Sequence, residues 1–115
     1  MILNLTPDPV RIYAEDRPDG IDDLEPGLRL VIEPEDTPAR LAIIELGTQG
    51  DGVELVEYGH ANHLPPKRDG VRYIVSLVVA LSLVPRGRDD LLVPYREVRN
   101  ASGTVIGCRQ LAQPV

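Results

Sequence analysis

Apolar residues fall in short runs, each ended by proline, glycine or acidic side chains. The longest run, Ile74–Val84, lies inside Tyr73–Leu111, which also carries a Pro/Arg/Asp-rich break and the clearest hairpin signal in the chain. Eleven residues are long for one strand, and Leu77 and Ala80 favour helix. Ser76 is therefore expected to N-cap a short, largely buried helix, Leu77–Leu83, stopped by Pro85. Beyond the break, Leu91–Val98 and Thr104–Leu111 predict a hairpin around Ala101-Ser102-Gly103, with Gly103 at positive φ and Asn100 paired with Thr104. That register puts Val98, Ile106 and Cys108 on the core face and Tyr95, Arg99 and Arg109 on the other. It sets Gly107 opposite Glu97, with room above the sheet.

Upstream, the pattern predicts strands at Ile2–Thr6 (ended by Pro7 and Pro9), Val10–Ala14, Leu28–Ile32 and Val71–Val75. Ala39–Leu46 runs into a glycine-rich stretch and then Val53–Tyr58, the pattern of a second hairpin. Glu15–Glu25 reads as a solvated acidic loop and Gly59–Gly70 as a connector. The expected fold is a single domain over 1–115 of α+β class, mostly antiparallel strands with one short helix near 76–84. The alternative is an all-β barrel or sandwich.

Composition sharpens this picture. The chain has 115 residues but no Phe or Trp, so Leu, Val, Ile and four tyrosines must build the core. Eleven prolines and ten glycines favour many short elements over a helical bundle. Cys108 is the only cysteine, which excludes an internal disulfide and a cysteine zinc cage. The amino-terminal segment has no basic, apolar leader pattern and no run is long enough to span a bilayer, so a soluble cytoplasmic protein is expected.

The net charge is −6, but residues 1–60 hold 14 acidic and 4 basic side chains, whereas 61–115 hold 4 and 8. The overall sign and the missing aromatics argue against nucleic acid. The split leaves a basic half able to attract a small anion, or an acidic half able to face a basic protein partner. Self-association stays open.

Candidate chemistry concentrates in the second half. Arg86, Arg88, Arg99 and Arg109 offer guanidinium forks for phosphate or carboxylate, Tyr95 a flat face and a hydroxyl, and Ser76 a helix start. Asp89 can pair with the arginines. Asp8, between Pro7 and Pro9, sits on a stiff bend. His60 and His63 share a loop with no third ligand in reach, so no metal is expected. There is no nucleophile elbow, HExxH or Walker lysine, and no cofactor is expected. Catalysis is not the favoured reading.

ILNLTPDPVRIY at residues 2–13, with YIVSLVVA, PRGRDDLLVP and VRNASGTVIGCRQL at 73–111, resembles a family of small uncharacterised proteins of bacteriophages, prophages and actinobacteria. The family pattern opens LNLTPH and closes on VS-x-LVA, an R-x-D element and VRD-x-x-G-x-x-IGCR. The resemblance implies Thr6, Ser76, Arg88, Asp89, Arg99 and Arg109 as motif positions, with Asp8 standing where the family has histidine. It implies no established activity. The expected function is a non-enzymatic accessory protein of phage or mobile-element type that binds a small anionic ligand, such as a nucleotide-derived defence signal. The alternatives are an interaction or structural module (a virion or inhibitor component) and a small nucleotide-processing hydrolase using Asp8 and Asp89.

Overall fold

A computed structural model describes all residues, 1–115. The strands are β1 (Ile2–Asn4), β2 (Val10–Tyr13), β3 (Leu28–Ile32), β4 (Arg40–Thr48), β5 (Glu54–Asn62), β6 (Arg72–Ile74), β7 (Leu91–Arg99) and β8 (Val105–Ala112). One helix, α1 (Leu77–Leu83), runs into a 3-10 turn at Val84–Arg86. The class is thus α+β with mostly antiparallel pairing and a single short helix.

Six strands form one sheet in the order β1-β6-β7-β8-β2-β3. The β1–β6, β6–β7 and β2–β8 pairs are parallel; β7–β8 and β2–β3 are antiparallel. The sheet curls until its two edges meet. Pro34, just past β3, bridges Asn4 of β1, and the Glu35 amide donates to the Asn4 carbonyl at 2.8 Å. The result is a nearly closed six-stranded barrel, so the barrel alternative is realised in part.

Inside the barrel each strand contributes an apolar side chain: Ile2, Val10, Ile32, Ile74, Leu92 and Cys108. Such a narrow barrel is filled by aliphatic side chains, which suits a chain without Phe or Trp. The second core lies outside the wall of β6 and β7. Tyr73, Val75, Leu91 and Val93 pack there with Val79 and Ala80 of α1. Successive residues of YIV and LLV therefore point to opposite cores, and a doubly covered strand pair reads as an unbroken apolar run.

Asn4 is fully buried where the barrel closes. Its Nδ2 donates to the carbonyls of Ile32 (2.9 Å) and Asp8 (2.8 Å), and its Oδ1 accepts from the Thr6 amide (2.9 Å) and hydroxyl (2.6 Å). One amide thereby ties β1 to β3 and holds the Thr6–Asp8 bend.

Several local expectations are met. Ser76 caps α1, its hydroxyl accepting from the Val79 amide, and Gly103 adopts φ 83° with Asn100 opposite Thr104. Three need correction. The helix is buried on one side only: Leu77, Val78 and Leu81 are exposed. A bulge between Val98 and Arg99 shifts the hairpin register, so Val98 pairs with Gly107 and Glu97 with Cys108. Val98 and Cys108 are both buried, but on opposite faces of the sheet. Gly107 has no room above it either, because a Cβ there would lie 2.6 Å from the Arg11 carbonyl oxygen and 2.7 Å from the Tyr13 ring.

The third correction is the acidic loop, which is docked on the β7–β8 hairpin. Arg17, buried to 3% exposure, donates to the carbonyls of Pro26 (2.6 Å), Ile21 (3.1 Å) and Asp23 (3.0 Å), and lies 4.5 Å from the centre of the Tyr13 ring. Asp19 accepts from the Arg99 amide and Asp22 from the Ala101 amide, both at 3.0 Å. Glu15 pairs with Arg96 at 2.6 Å. The charge asymmetry of the chain is partly neutralised here.

Asn4→Ala should cost about 3 kcal/mol, since it strands buried backbone groups. It should lower the urea midpoint without changing the slope. Gly107→Ala should cost about 2–3 kcal/mol through the clash with β2. Gly103→Ala, which meets nothing within 4 Å, should cost about 1 kcal/mol for its positive φ. Denaturant unfolding of the three variants checks both the sizes and the order.

Candidate functional site

The bend that Asn4 holds forms one wall of an open cleft of about 540 Å³. Thr6, Asp8, Pro9, Val10 and Arg11 come from the bend and β2; Val75 and Ser76 come from the start of α1; Val105, Ile106, Gly107 and Cys108 come from β8. Leu24 and Pro94 complete the lining. The size lies within the range of small-molecule sites, and so does the mixture of apolar wall and few polar groups.

Arg11 is the only cationic residue of the lining and Asp8 the only acidic one. Neither side chain takes part in a hydrogen bond or ion pair within the chain; only the Asp8 backbone carbonyl is engaged, by Asn4 and Thr6. The Thr6 hydroxyl is committed to Asn4 and the Asp8 carbonyl. Burial pushes the Cys108 thiol up from its ordinary value, so it stays protonated and serves as packing. The cleft can bury an apolar or planar body, pair Arg11 with an anionic group, and offer Asp8 as an acceptor.

Of the residues predicted to bind a ligand, only Ser76 lines this cleft, together with the motif residues Thr6 and Asp8. The arginines do not converge. Arg88 clamps Asp90 through two bonds (2.8 and 2.9 Å) and reaches the Pro65 carbonyl. Arg99 spans Glu97 and the Gly103 carbonyl, both at 2.8 Å. Arg109, with a side chain 14% exposed, donates to the carbonyls of Glu97 and Arg17 and approaches Asp19. Asp89 pairs with Lys67. Arg86 ends the 3-10 turn in solvent, and Tyr95 is half exposed on β7. Asp89 lines a separate hollow beside Lys67 and Arg68, so the structure does not assemble an Asp8/Asp89 pair.

Sequence reasoning missed Arg11, Asn4 and Arg17. Asn4 carried a signal: a polar residue two places from Ile2 in an otherwise apolar strand points inward. Arg11 lies within the amino-terminal motif, but nothing local distinguishes it from a solvated strand arginine. No protein-family model, curated protein or solved structure matches the chain.

Three carboxylates are tuned by these contacts, Asp89 by its pairing with Lys67. The Arg88 guanidinium holds the Asp90 carboxyl below its usual range, and the Arg99 amide does the same for Asp19. A depressed folded-state pKa stabilises above the unfolded value, near 3.8, and that stability is lost as pH falls through the lowered value. The Arg88–Asp90 contribution should thus be complete at neutral pH, begin to fall near the unfolded carboxylate value of about 4, and be lost as pH passes the lowered folded-state value. Asp90→Asn should cost about 3 kcal/mol at pH 7, because it leaves Arg88 unpaired. It should also flatten the acid limb of stability against pH, as read from urea midpoints between neutrality and strong acid.

Proposed function

We propose that the protein is a non-enzymatic binding protein for a small ligand that joins an apolar or planar body to a single anionic group. A nucleotide with few phosphates is the class in view. The observation that carries this reading is the cleft itself, where the two regions of the family resemblance meet around an Arg11 with no partner in the chain. Guanidinium forks recognise phosphate or carboxylate in a bidentate way, and Arg11 is the one cationic residue of the lining. The nearby Asp8 disfavours a second negative charge and accepts from a base or hydroxyl. Sequestration of a nucleotide-derived signal by a phage or mobile-element accessory protein fits this chemistry.

The cation of the proposed site is Arg11, in place of the arginines of the second half. Of the four singled out there, Arg88 holds the β7 entry, Arg109 the 15–25 loop and Arg99 its own hairpin, while Arg86 is solvent-exposed. A hydrolase built on Asp8 and Asp89 would need both in one place, and Asp89 lines a separate hollow.

Native mass spectrometry of gently purified protein should show an added mass of a few hundred daltons that is lost on denaturation. Titration calorimetry with mono-, di- and cyclic nucleotides then ranks the phosphate count. Arg11→Ala should weaken the tightest binder by roughly 30-fold or more, in keeping with loss of a charge-assisted pair. Arg86→Ala should leave binding unchanged. Equal affinity in wild type and Arg11→Ala would remove the cleft from the function.

A further inference from the structure

The β4–β5 hairpin is an arm that touches the helix-covered core only at its root. It is anchored at its root, where Ala39 is buried and Leu41 and Leu64 pack near α1. Beyond the root its side chains are largely exposed. The radius of gyration, 16.4 Å, exceeds the value of about 13 Å expected for a compact chain of this length.

Cross-strand partners share a face, and the arm is apolar on both. Ile43 and Tyr58 are partners, with Val56 beside them on that face; Ile44 and Leu55 lie on the other. All five are 43–60% exposed. A two-stranded hairpin is marginally stable alone in water, and an arm with two greasy faces has a strong need for cover. At its root the chain presents a second apolar surface, the outer side of α1, with Leu77, Val78 and Leu81 at 49–58% exposure. Arm and helix together leave these eight large apolar side chains about half exposed, a concentration of the kind that marks an interaction surface.

The charges match in the same sense. The arm carries Glu45, Asp51, Glu54 and Glu57 against Arg40 alone, and none of the chain's ion pairs involves it. Around the helix, residues 67–90 hold five cations and three acidic residues; Asp89 and Asp90 pair with Lys67 and Arg88, which leaves Arg68, Arg72 and Arg86 without an ion pair. One chain thus holds an acidic apolar arm and a basic apolar seat. A two-fold interface requires that self-complementarity.

We infer that the protein forms a two-fold dimer by arm exchange, the β4–β5 arm of each copy lying on the α1 face of the other. The test is sedimentation equilibrium on the full chain. Wild type should have twice the 12.6 kDa chain mass. Ile44→Glu/Val56→Glu in the arm and, separately, Leu81→Glu in the seat should each weaken dimerisation at least roughly 30-fold. All these positions are exposed, so circular dichroism should be unchanged. Mixing the arm variant with the seat variant restores one of the two contacts and should give a heterodimer tighter than either variant alone. A monomeric wild type, an assembly other than a dimer, or a dimer that ignores the arm variant would each overturn the inference. An arm variant that dissociates while Leu81→Glu does not would overturn the arm-on-helix geometry.

Discussion

The structure depends on the buried amide of Asn4. A curled sheet with two free edges must either cover them or join them, and here the joint is only one backbone bridge wide. Asn4 reinforces it by donating to Ile32 across the closure and by fixing the chain reversal that follows β1. A buried amide with all its strong partners satisfied specifies one arrangement, because every alternative leaves a donor or acceptor stranded. The bend it fixes delivers Thr6, Asp8 and Arg11 to the cleft, so barrel closure and site geometry share one interaction.

Around that joint the chain distributes its limited apolar content with care. β6 and β7 are covered on both sides, and their side chains alternate between the barrel interior and the helix-covered core. With no Phe or Trp, density comes from aliphatic interdigitation and from Tyr13 and Tyr73, both almost fully buried. The Tyr13 ring fills the space that Gly107 leaves, and its hydroxyl donates to the Leu24 carbonyl, so it also pins the acidic loop. Polar groups are used for the same end. Arg17 gathers three carbonyls, Arg109 two more, and Arg88 clamps Asp90, which turns loops without regular structure into rigid walls. The arm alone is left outside this economy.

Much of the fold was legible where the signal is local. The Ser76 cap, the stop at Pro85, the loop closed by Gly103 and the strand at Leu28–Ile32 rest on turn and cap chemistry within a few residues. The site was less legible. Thr6, Asp8 and Ser76 were singled out and do line the cleft, whereas the arginines drew attention for their chemistry in isolation. Their partners lie far along the chain: Arg109 bonds Arg17, Arg96 bonds Glu15, and Arg99 bonds Asp19 through its amide. No pattern in the sequence pairs those positions, so their charges looked free.

By itself the sequence determined element type and order, the mostly antiparallel class, the single capped helix and the aliphatic character of the core. These follow from propensity, spacing and composition, which act over a few bonds. Tertiary structure alone decided the bulge that separates Val98 from Cys108, the meeting of β1 with β3 and the docking of the 15–25 loop. It also decided which arginine stays unpaired in a cleft and which strands are left without cover. Each of these is a competition between contacts far apart in the chain, settled by packing and by the cost of an unsatisfied buried group.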